Sequence, residues 1–87
     1  MMWDLYNEYR EELNEVLRKE DVEELERLMI KWMAVGLFEE SDTQDFIESS
    51  DWVKKMTMYK AIEANAELPD SLREKAKKEI EWLKANQ

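Results

Sequence analysis

Carboxylates are the side chains of this sequence numerous enough, and close enough together, to do chemistry. Six of them, Glu39, Glu40, Asp42, Asp45, Glu48 and Asp51, stand in one stretch without a lysine or arginine among them. Clustered carboxylates can trade protons, hold a hard cation, or attract a basic surface. The first two fit poorly. Histidine and cysteine are absent, which removes the commonest general base, the Ser-His and Cys-His nucleophile systems, and structural zinc. The stretch lacks the ordered ligand spacing and central glycine of an EF-hand loop, and no glycine-rich phosphate loop exists. With 22 acids in 87 residues some pairs must lie close by chance. The expectation is a protein that is not an enzyme, with no catalytic residue, metal or cofactor.

Two readings of the acidic stretch then compete. It is either a solvated connector whose acids cap helices and maintain solubility, or a docking surface for a basic protein. Clustered acids speed encounter with such a partner and exclude anionic competitors. The absence of any interspersed lysine favours docking; the caps that Ser41, Ser49, Ser50 and Asp51 can supply favour the connector. Ile30 and Trp82 join the six acids as candidate contacts, because helical spacing leaves both outside their apolar stripes. The methionines Met29, Met33, Met56 and Met58 are read as fillers of irregular core space rather than as an adaptable groove.

Charge distribution points the same way. Lysine and arginine number 13, giving a formal net charge of −9. Residues 1–51 hold 16 acids against 5 bases, residues 52–87 only 6 against 8, so the molecule is lopsided. A negative field repels nucleic acid and anionic lipid and attracts basic proteins. The leading expectation is a small interaction module, an adaptor or inhibitor, that docks a basic protein through its acidic first half. A sharper form is nucleic-acid mimicry in the groove of a nucleic-acid-binding protein. The alternatives are a structural homo-oligomer, whose oppositely charged halves would assist antiparallel packing of two copies, and a small-molecule-binding bundle.

The elements that must position these residues are helical. Glycine and proline occur once each, as Gly36 and Pro69, too few for the turns of an all-β fold. Met2, Leu5, Tyr6, Tyr9, Leu13, Val16 and Leu17 fall in one stripe of a helix from Met2 to about Arg18, with Glu8, Glu11, Glu12 and Glu15 opposite. Asp21 can cap a second helix, with Glu24 completing a capping box. Val22, Leu25, Leu28, Met29, Trp32, Met33 and Val35 cover so broad an arc of it that neighbours on two sides are expected. Gly36 ends it. Ser41 and Gln44 form a second capping-box pattern before a short helix, Asp42 to Glu48, that carries Phe46 and Ile47 inward. Helical spacing returns from Trp52 to about Glu67, with Trp52, Met56, Tyr59, Ile62 and Ala66 on one face. Both Met56 and Met58 can be buried there only on a wide arc. Pro69 opens a last helix, Asp70 to Ala85, that buries Leu72, Ala76, Ile80 and Leu83.

The fold expected is all-α: a compact bundle of four main helices in two hairpins, plus one short connector helix. A chain this short suggests a single domain over 1–87, with hairpins at 2–35 and 52–86 and an acidic connector at 36–51. The amino terminus lacks the pattern of a signal peptide, the longest apolar run (Trp32–Phe38) is far short of a membrane span, and the absence of cysteine suits a reducing cytoplasm.

Overall fold

Amphipathic spacing with almost nothing to interrupt it yields an all-α chain. The computed structural model describes residues 2–87, apart from the side chain of Met2, whose place in the first stripe lies outside the described residues. Its helices are α1 (Met2–Lys19), α2 (Val22–Ala34), α3 (Glu40–Glu48), α4 (Asp51–Ala64) and α5 (Asp70–Ala85), with no strand among the described residues. They form two compact units, one ending at Ser49 and one spanning Ser50–Gln87. The division falls inside the acidic stretch.

In the first unit α1 stops at Glu20, which takes a left-handed φ of 54°. That conformation costs a residue bearing a β-carbon about 1 kcal/mol. Asp21 then caps α2: its Oδ1 accepts the amides of Glu23 at 3.0 Å and Glu24 at 3.3 Å. The Glu24 carboxylate lies 2.6 Å from Arg27 on the following turn. The other end of α2 is closed by Gly36 at φ 85°. The Gly36 amide donates to the Met33 carbonyl and the Leu37 amide to the Trp32 carbonyl, both at 2.9 Å. Those paired bonds satisfy carbonyls that a helix end leaves open.

Helix α2 packs against both α1 and α3, the two-sided burial its broad arc requires. Val16, Leu17, Leu25, Leu28, Trp32 and Phe46 are buried, together with the polar Thr43. Thr43 Oγ1 donates to the Glu39 carbonyl at 3.4 Å, so its burial leaves no orphaned hydroxyl. Three expected stripe members lie in the open instead: Leu5, Tyr6 and Val35 are exposed. For Leu5 and Tyr6 the cause is length; Val35 is itself the C-cap of α2. α1 has 18 residues and α2 has 13, so at 1.5 Å per residue α1 outruns its partner by about 7 Å.

The second capping box does not form. α3 begins at Glu40 rather than Asp42, its N-cap is Glu39 with no side-chain cap bond, and Ser41 lies within the helix. Gln44 reaches forward to Glu48, donating at 2.8 Å. Phe46 is buried and Ile47 half-buried, the inward face expected of them.

In the second unit Ser50 Oγ accepts the Val53 amide at 3.3 Å and caps α4. This helix ends at Ala64, three residues before the expected stop, and Ala66 lies beyond it and exposed. Asn65 is the reason. Its Oδ1 accepts the Glu67 amide at 3.0 Å, a local turn that competes with helix. The Leu72 and Arg73 amides both donate to the Pro69 carbonyl at 3.1 Å, starting α5. α4 packs along α5, and Met56, Ile80 and Leu83 form the centre, with Trp52 and Tyr59 against them. Met56 and Met58 are both buried, so the arc of α4 is the wide one; Leu72 is only half-buried.

The left-handed Gly36 yields a direct test. A β-carbon added there would meet no heavy atom within 4 Å, so Gly36→Ala is penalised by backbone conformation alone. Chemical denaturation should show a loss of about 1 kcal/mol with an unchanged m-value. A neutral result would mean α2 does not end in this turn.

Candidate functional site

α3 sorts its residues cleanly. At 3.6 residues per turn Thr43, Phe46 and Ile47 share one side, and Asp42, Asp45 and Glu48 occupy about a third of the circumference opposite them. Glu40 lies at the margin and Glu39 is the N-cap. All five acids are exposed. The ion pairs Arg27–Glu24, Lys31–Glu12 and Arg73–Asp70 involve none of them. Glu48 accepts from Gln44 Nε2, and the backbone carbonyl of Glu39 accepts from Thr43 Oγ1. The face is exposed and acidic.

The remaining candidates do not all join it. Ile30 is exposed on α2, in a shallow surface depression with Glu23, Glu26 and Arg27. Asp51 stands in the first turn of α4, and Trp82 is exposed on α5; both belong to the second unit. No group of three or more acids spaced to hold a metal ion occurs among the described residues, and none of their helices is long and apolar enough to cross a membrane.

One charged group acts where periodicity did not place it. Glu12 is half-buried rather than opposite the α1 stripe. Its Oε1 accepts from Lys31 Nζ at 2.6 Å and its Oε2 from Trp32 Nε1 at 2.8 Å, joining α1 to α2. The Lys31 ammonium also lies 5.3 Å from the centre of the Trp32 ring. The row Leu5, Tyr9, Glu12, Val16 at helical spacing was the available signal, together with a buried indole that needs an acceptor. Beside it lies an open groove of about 440 Å³ whose lining includes Glu11, Glu15, Val16, Arg27 and Leu28.

Around the same tryptophan the rings of Tyr9 and Trp32 meet edge-on at 6.0 Å, and those of Tyr9 and Phe38 at 5.1 Å. Burial, with a smaller push from Tyr6, raises the Tyr9 phenol above its ordinary value, so it stays neutral at physiological pH. The Lys31 hydrogen bond, then that of Trp32, lowers Glu12 against the opposing effect of burial. No protein-family model, curated protein or solved structure matches the chain.

Replacing Glu12 separates its two bonds. Glu12→Gln keeps an acceptor for the indole and should cost under about 1 kcal/mol, because the lost ion pair is solvent-screened. Glu12→Ala orphans a buried N–H and should cost about 1–3 kcal/mol in denaturant melts. Because folding lowers the pKa of Glu12, its contribution is complete above the ordinary glutamate value of 4.5 and fades as pH falls through the lower folded-state value. Stability measured against pH should lose that acid-side component in Glu12→Gln.

Proposed function

We propose that this protein is a non-enzymatic interaction module that docks a basic protein through the acidic face of α3. The observation that carries the reading is the exposed row Asp42, Asp45 and Glu48, set opposite the buried side of α3 and outside the ion pairs Arg27–Glu24, Lys31–Glu12 and Arg73–Asp70. Charges held on a regular helix keep a fixed spacing, which suits recognition better than the same charges on a mobile loop. Side chains that make no internal ion pair need break none to meet a partner. A net charge of −9 adds long-range attraction for a positive surface and repulsion of nucleic acid.

The chemistry of the partner follows: a protein presenting clustered lysine or arginine. An inhibitor that occupies a nucleic-acid-binding groove is the sharper version, and competition by DNA or RNA for the same partner distinguishes it from an adaptor. The alternative of a structural homo-oligomer calls for a mass that rises with concentration in light scattering.

Reversing Asp42, Asp45 and Glu48 to lysine should abolish capture of basic proteins from a lysate and leave the helical circular dichroism unchanged. Capture by the unaltered chain should weaken steeply with added salt, since the screening length falls from about 10 Å at 0.1 M to about 3 Å at 1 M. Salt-insensitive capture, or capture that survives the reversal, would rule the docking face out.

A further inference from the structure

We draw no further inference here: the strongest candidate, the open groove between α1 and α2 lined by Glu11, Glu15, Val16, Arg27 and Leu28, has cations that already pair within the chain as Arg27–Glu24 and Lys31–Glu12, and nothing in the structure shows what covers it.

Discussion

A buried indole nitrogen has to donate to something, and in each unit that requirement ties one helix to another. Trp32, 3% exposed, gives its N–H to the Glu12 carboxylate across α1 and α2. Trp52 gives its own to the Leu83 carbonyl across α4 and α5 at 2.7 Å. Ring burial supplies area without direction; the hydrogen bond supplies direction, so each pair is held at one axial offset. In the first unit α1, longer by five residues, projects beyond α2. An edge of core thereby becomes surface, and Leu5 and Tyr6 become available without any break in the pattern that placed them.

Acids in this protein divide by employment. Asp21 caps α2, Glu12 joins two helices, and Glu24 and Asp70 pair with Arg27 and Arg73 one turn away. The α3 carboxylates belong to a different class. Glu39 occupies an N-cap without making a side-chain cap bond, and Asp42, Asp45 and Glu48 face outward. Negative charge near the start of a helix interacts favourably with its dipole, which makes Glu40 and Asp42 tolerable there. Asp45 and Glu48 lie too far along α3 for that benefit. Concentrated like charge destabilises a small fold through self-repulsion.

The short α3 does a second job. Phe46 and Thr43 bury its inner side, and Phe38, just before it, sets its ring against Tyr9. These contacts brace α3 within the first unit.

Local chemistry was legible from the residues alone. Helical period, the cap at Asp21, the left-handed stop at Gly36, the cap at Ser50 and the start after Pro69 act within a turn or two, so neighbours in sequence decide them. The same holds for the outward positions of Ile30 and Trp82 and for the inward side of α3. What sequence could not decide was set by partners distant along the chain. Glu12 looked like a solvent-facing acid until Trp32 needed an acceptor, and Leu5 and Tyr6 looked like core until α2 proved too short to cover them. Periodicity states which side of a helix is apolar; only tertiary packing states how far along that side another element extends.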